Sequence, residues 1–132
     1  MLNSIKYKVQ TEKSPLEAIA ALKEELAKHS FGVLWELDFN EKLKEKGVET
    51  DIQFHLPEVC NPLKAKVALE EDIEKGYFLP CRTVVYVKEG KTWMGLLKPT
   101  VLLMEAASPA LMAVAHEVEA VLEDVLVKAR SS

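Results

Sequence analysis

Two cysteines, Cys60 and Cys81, are the residues of this sequence best suited to chemistry, because thiols act as nucleophiles, redox groups and soft metal ligands. Each lies beside a proline-marked turn, in the stretches EVCNPLKA and LPCR. Cys60 precedes Asn61 and Pro62, which predict the start of a helix, and a helix N-terminus favours a thiolate. The alternative is that both thiols are small buried apolar groups, which is the usual state of free cysteine.

His55 is the nearest histidine to the cysteines in the sequence. His55, Cys60 and Cys81 are therefore the candidate metal ligands, although the Cys-x-x-Cys spacing typical of zinc sites is absent. A catalytic dyad of Cys60 and His55 is a further alternative. Five residues of extended strand put these side chains on opposite faces unless Pro57 bends the chain.

Arg82, next to Cys81, can bind a small anion together with the helix N-terminus at Asn61. The alternative is an ion pair between Arg82 and Glu58. The sequence contains no phosphate-binding loop, dinucleotide-binding glycine motif, nucleophile elbow or His-Glu-x-x-His motif. It therefore names no cofactor and no reaction.

Length and composition predict one globular domain over residues 1–132, with its core over about residues 4–127. The chain is 48% hydrophobic and 29% charged, which is ordinary for a globular protein. Its net charge is −4 and its bases are interspersed with acids, as in EKLKEKGVE, so we expect no binding to nucleic acid or to anionic membranes. No apolar run approaches the ~18 residues of a membrane span. The N-terminus lacks a signal-peptide pattern, and with only two cysteines we expect a cytoplasmic protein.

The elements that must position these residues follow from hydrophobic periodicity and turn signals. The pattern predicts, in order, a strand, a helix, a strand, a short helix, a strand, a helix, a hairpin and a helix. Ser14 and Glu17 form a capping box before the first long helix, and the apolar stretch KPTVLLMEAA is expected to contain a short helix. This order indicates an α+β two-layer sandwich, with a mainly antiparallel sheet and helices packed on one face.

The stretch VLWELDFN alternates regularly, and the alternation assigns its side chains to two faces. We expect the apolar members to face the core, the polar members to face away, and Asn40 to cap the following helix. DIQFHL predicts a third strand whose polar side chains lie on the same outer face. The core set is Val33, Trp35, Leu37, Phe39, Ile52, Phe54 and Leu56, and the outer set is Glu36, Asp38, Gln53 and His55.

The sheet face opposite the helices is the predicted interface. The alternation described above assigns to it Glu36, Asp38 and Gln53. Trp93 is assigned to the same face, because Met94 and Leu96 then point into the core. An open sheet face is commonly buried against a partner, so we expect a homodimer.

The stretches SFGVLWELDFNEKLKEKG and EVCNPLKAKVALEEDIEKGYFLPCRTVVYV together resemble the bacterial and archaeal family called domain of unknown function 302. The resemblance covers about residues 4–127. It implies a two-layer α+β fold related to the TATA-binding-protein-like group, usually seen as a dimer. It implies neither a known activity nor DNA binding.

The sequence thus favours a homodimer that binds a small ligand or a metal in a pocket near Cys60, Asn61, Cys81, Arg82 and His55. One alternative is an enzyme that uses Cys60 as its nucleophile. The other is a structural interaction module whose cysteines only fill space.

Overall fold

The computed structural model describes residues 2–103 and 108–132, in which five β-strands alternate with helices. The strands are β1 Lys6–Thr11, β2 Gly32–Asp38, β3 Phe54–Cys60, β4 Cys81–Lys88 and β5 Lys91–Leu97. The helices are α1 Leu2–Ile5, α2 Pro15–Ala27, α3 Phe39–Glu45, α4 Pro62–Glu71, α5 Pro99–Leu103 and α6 Pro109–Ala129, with a 3₁₀ helix at Ile73–Phe78. The short helix expected in KPTVLLMEAA is α5, and the rest of that stretch, residues 104–107, lies outside the described residues. Within the two described ranges, no helix is both long and apolar enough to cross a membrane.

The five strands form one sheet in the order β1-β5-β4-β3-β2, and every neighbouring pair is antiparallel. The long helices α2 and α6 pack against each other and against one face of this sheet. The α+β sandwich predicted from the sequence is therefore confirmed. The core between the layers contains Val9, Val59, Val85, Met94 and Leu96 from the strands and Leu22, Leu26, Leu122, Val125 and Leu126 from the helices.

Side-chain caps start the helices where the sequence predicts them. The Glu17 amide donates to Ser14 Oγ at 3.3 Å, and the Ser14 amide donates back to Glu17 Oε1 at 3.0 Å, which completes the capping box. The Lys64 amide donates to Asn61 Oδ1 at 3.2 Å at the start of α4. These local signals satisfy amides that have no partner within the helix.

A β-bulge in β2 corrects the predicted faces of that strand. Val33 is opposite Val59, but Trp35 is opposite Glu58, so Leu34 is an extra residue without a partner on β3. One extra residue moves every later side chain to the other face of the sheet. Trp35 is accordingly 52% exposed and not in the core.

The same bulge turns the acidic residues of β2 toward the helices. The Glu36 carboxylate lies 3.3 Å from Lys23 Nζ of α2. Asp38 is opposite His55, which is opposite the core residue Val85. The predicted outer positions of Glu36, Asp38 and His55 are therefore wrong, while Trp93 does lie on the face away from α2 and α6 because its neighbour Met94 is in the core.

The segment between β2 and β3 also differs from the prediction. Asp38 caps α3, because its Oδ1 accepts the Glu41 amide at 3.2 Å. Asn40, the expected cap, instead donates to the carbonyl oxygens of Thr50 at 2.9 Å and Ile52 at 2.8 Å. These bonds hold the chain outside the sheet, so β3 begins at Phe54 and Ile52 is half-exposed.

Candidate functional site

The two cysteines meet at one end of the sheet. Cys60 is the last residue of β3 and Cys81 is the first residue of the neighbouring strand β4, where it lies opposite Val59. Both thiols are free and both line one cavity of about 90 Å³. The strand order thus brings together two residues that are far apart in the sequence.

The cavity lies between the ends of these strands and the helices that follow them. Its walls come from α4, the 3₁₀ helix, α5 and the first half of α6, and they are almost entirely apolar. Asn61, Lys64 and Lys75 are the polar residues in its lining among the described residues. The apolar lining includes Phe31, Val59, Ala65, Ala68, Phe78, Leu79, Leu103, Leu111, Val114, Ala115 and Val118.

Two open depressions adjoin the cavity. A groove of about 320 Å³ runs between α4 and α6 and shares Lys64, Ala68 and Lys75 with the cavity wall. A second depression, of about 430 Å³, lies on the other side and contains both Cys81 and Arg82. A ligand larger than the cavity can therefore extend into either depression.

The environment keeps both thiols protonated at neutral pH. Burial raises the pKa of Cys60 above its usual value of 9.0. Burial, with smaller contributions from the charges of Cys60 and Glu58, raises the pKa of Cys81 to about 11. The helix N-terminus behind Cys60 does not overcome this desolvation, because its benefit is only ~0.3–1 kcal/mol at exposed sites.

His55 does not belong to this site. It lies at the opposite end of β3, five residues from Cys60, which corresponds to roughly 17 Å along a strand. Its Nδ1 is 3.9 Å from Asp38 Oδ2, and both residues line a separate depression with Ser14 and Gln53. The dyad of Cys60 and His55 and the three-ligand metal set are therefore not assembled.

Arg82 forms the ion pair that the sequence left as an alternative. Its Nη2 lies 3.9 Å from Glu58 Oε1, and its side chain is half-exposed on the face away from α2 and α6. Among residues 2–103 and 108–132, no cluster of three or more His, Cys, Asp or Glu side chains has a geometry that can hold a metal ion.

A row of aromatic side chains crosses the sheet on the face away from α2 and α6, which we call the open sheet face. Phe54, Tyr86 and Trp93 lie on three neighbouring strands in register. The rings of Phe54 and Tyr86 stack with centroids 6.1 Å apart, and Lys8 Nζ lies 4.3 Å from the centre of the Trp93 ring. By strand alternation, the open sheet face carries Lys6, Lys8, Gln10, Trp35, Leu37, Phe54, Leu56, Glu58, Arg82, Val84, Tyr86, Lys88, Lys91, Trp93, Gly95 and Leu97.

Of the four predicted interface residues, only Trp93 lies on the open sheet face. Glu36 and Asp38 were displaced by the bulge, and Gln53 lines the depression that contains His55. The alternation of SIKYKVQT already puts Lys6 and Lys8 on the side away from Val9, but the predicted interface did not include Tyr86 or Lys88. The alternation of Arg82-Thr-Val-Val-Tyr-Val-Lys88 around the core residue Val85 is the signal that identifies them.

The five-stranded antiparallel sheet with two long helices on one face, and a cysteine-lined cavity at its end, defines an α+β sandwich protein. The family model for "Domain of unknown function DUF302" matches residues 7–129. The crystal structure of an "uncharacterized conserved protein DUF302" from Bacillus stearothermophilus is similar, with a TM-score of 0.88 and 40% sequence identity over 96% of this chain and 98% of that chain. No curated protein matches the chain significantly. The chain belongs to the DUF302 family.

Proposed function

We propose that this protein binds a small, largely apolar ligand in the cavity beside Cys60 and Cys81. The observation that carries the proposal is the apolar cavity of about 90 Å³ at the junction of four helical segments and two strand ends. Protein interiors are close-packed, and ligand sites are typically apolar clefts with a few placed polar groups. Here the placed polar groups are the ammonium groups of two lysines.

The lysines indicate the chemical class of the ligand. Lys64 forms an ion pair with Glu117, and Lys75 Nζ lies 2.8 Å from Glu71 Oε1. Both lysines line the cavity and also the groove between α4 and α6. An anionic head group at the groove can exchange with these carboxylates, while its hydrocarbon part enters the cavity. The expected ligand is a short hydrocarbon chain that ends in a carboxylate or a phosphate.

The proposal is tested by titrating the purified protein with octanoate in a calorimeter. Ala68 lines both the cavity and the groove, so Ala68→Leu fills the space with added carbon atoms. We expect this variant to bind octanoate about tenfold more weakly, or ~1.4 kcal/mol, than the unaltered protein. Ala20→Leu, at an exposed position of α2, makes the same change away from the cavity and is expected to leave binding unchanged. Absence of binding, or equal binding by Ala68→Leu, would contradict the proposal.

The thiol-enzyme alternative receives less support from the chemistry of the site. An enzyme that uses Cys60 requires a thiolate at neutral pH, whereas burial raises the pKa of this thiol. Rapid and selective alkylation of Cys60 by iodoacetamide at neutral pH would favour the enzyme. Slow alkylation of both cysteines favours the binding protein or the purely structural module.

If the protein is a homodimer, as we expect, α4 is a better candidate for its interface than the open sheet face. Leu63 and Val67, one helical turn apart on α4, are 73% and 64% exposed. Lys66 lies in the N-terminal half of the helix and Glu70 in the C-terminal half. Two α4 helices packed antiparallel about a two-fold axis bury the apolar pair and set lysines beside glutamates. A second copy in this position covers the groove between α4 and α6 and so closes the ligand site.

A further inference from the structure

Basic side chains are concentrated on the open sheet face of an acidic protein. The whole chain has a net charge of −4. Among the described residues, however, the open sheet face carries one acid, Glu58, and five bases. Glu89 lies in the adjoining hairpin turn, next to Lys88. The five bases are Lys6, Lys8, Arg82, Lys88 and Lys91.

Among the described residues, Lys6, Lys8, Lys88 and Lys91 of this face have no acidic partner, whereas several lysines of the helices do. Lys23, Lys66 and Lys75 each lie within 3.3 Å of a carboxylate oxygen. No carboxylate in the described part of the chain forms an ion pair with Lys6, Lys8, Lys88 or Lys91. Their charge is therefore available to an external anion, and it also disfavours packing this face against a second copy of itself.

Aromatic rings lie between the bases. Trp93 and Tyr86 are neighbours on adjacent strands, and Phe54 follows on the next strand. Adjacent strands are ~4.8 Å apart, so these partly exposed rings form a continuous row, in which Phe54 stacks on Tyr86 and Lys8 Nζ lies over the Trp93 ring. Lys6 and Lys8 lie near the row on the edge strand β1. Lys88 and Lys91 lie two residues from Tyr86 and Trp93, at the turn of the β4–β5 hairpin. Bases of single-stranded nucleic acids stack on such rings, while lysines neutralise the phosphates.

We infer that the open sheet face binds single-stranded nucleic acid, with bases stacked on Trp93 and Tyr86 and the phosphate backbone held by the lysines of β1 and of the hairpin. An acidic peptide satisfies the charges but leaves the aromatic row unused. A duplex hides its base faces from the rings. This inference departs from the expectation, drawn from the sequence, that the protein does not bind nucleic acid. Along the sequence the lysines alternate with other residues and form no basic run. Only the pairing of the strands brings them to one surface.

The test measures the fluorescence anisotropy of a fluorescein-labelled single-stranded oligonucleotide of mixed sequence as full-length protein is added at low salt. We expect saturable binding below ~100 μM protein that weakens as salt is raised, as phosphate contacts require. The double variant Lys6→Glu/Lys8→Glu is expected to bind about tenfold more weakly. Trp93→Leu, which keeps an apolar side chain in the strand, is expected to lose a similar factor because stacking is removed.

Matched controls separate this site from nonspecific charge effects. Lys23→Glu/Lys128→Glu makes the same change of charge on α2 and α6, which cover the opposite face of the sheet. This variant is expected to bind the oligonucleotide as the unaltered protein does. The inference is overturned by an absence of binding at ~100 μM, by equal losses in the two double variants, or by an unaffected Trp93→Leu. It is also overturned if an equally charged duplex or polyglutamate peptide competes as well as the unlabelled single strand.

Discussion

At the scale of the residue, the thiol of Cys81 shows how strongly burial acts at the cysteine site. The helix N-terminus at Asn61 lies beside Cys60, and such a terminus stabilises a thiolate by only ~0.3–1 kcal/mol at exposed sites. The rise in the pKa of Cys81 from 9.0 to about 11 corresponds to ~2–3 kcal/mol against the thiolate. Burial is therefore the larger effect, and the site favours neutral thiols.

The sequence assigned Cys60 and Cys81 to one pocket, but their approach depended on the third and fourth strands being neighbours in the sheet, which the sequence did not establish. The sequence could not predict the direction of their pKa shifts. That direction depends on α5 and α6, which close the cavity from a distant part of the chain. His55 was placed too close to the cysteines because it is near Cys60 in sequence, whereas extended strands separate residues rapidly in space.

The raised pKa of Cys81 makes stability depend on pH under alkaline conditions. Because the pKa is higher in the folded protein than in the unfolded chain, the contribution is fully present below pH 9 and is lost as pH rises toward about 11. We expect the free energy of unfolding to fall by up to ~2–3 kcal/mol more in the unaltered protein than in Cys81→Ala over this range. Urea unfolding at several pH values measures the difference, with Cys60→Ala as a control that retains Cys81. Parallel pH curves for the unaltered protein and Cys81→Ala would contradict this prediction.

At the scale of the element, caps and the hairpin of β4 and β5 were readable from the sequence, whereas the register between β2 and β3 was not. Ser14 and Asn61 cap α2 and α4 as predicted, because a cap involves only residues within one turn. The bulge at Leu34 was missed, because its stretch alternates regularly and the extra residue appears only against β3. The bulge alone displaced Glu36 and Asp38 from the predicted interface.

The capping box of α2 gives a prediction for one helix. Ser14→Ala removes the oxygen that accepts the Glu17 amide, and we expect the free energy of unfolding to fall by ~1 kcal/mol. Ser14→Asp keeps an acceptor at this position and is expected to be close to the unaltered protein in urea unfolding. If Ser14→Asp is as unstable as Ser14→Ala, the hydrogen bond is not the source of the effect.

At the scale of the whole molecule, charges are sorted in a way that the net value of −4 conceals. The open sheet face is basic, whereas α4 is basic at one end and acidic at the other. The first arrangement suits an anionic partner and the second suits a copy of the same helix in the opposite direction. The two surfaces therefore have separate proposed roles.

The α4 dimer is tested by reversing its charges. In Lys66→Glu, the new carboxylate is expected to face Glu70 of an antiparallel partner. The dimer is then expected to dissociate at a higher protein concentration than the unaltered dimer does, as measured by analytical ultracentrifugation. Glu70→Lys is expected to weaken it in the same way. The double variant Lys66→Glu/Glu70→Lys restores opposite charges across the two-fold axis. It also keeps the ion pair within each helix, in which Lys66 Nζ lies 3.0 Å from Glu70 Oε1 in the unaltered protein. A dimer unchanged by both single variants, or a monomer at all concentrations, would exclude this interface.

The bulge of β2 has a further consequence for the behaviour of the protein at high concentration. β1 and β2 are the two free edges of the sheet, and an unbroken apolar edge invites edge-to-edge aggregation with other molecules. On β2 the exposed apolar residues Leu34 and Trp35 lie where the bulge interrupts a regular strand. An incoming strand cannot keep its hydrogen-bond register past this point. One inserted residue thus disfavours edge-to-edge aggregation at an edge that exposes Leu34 and Trp35.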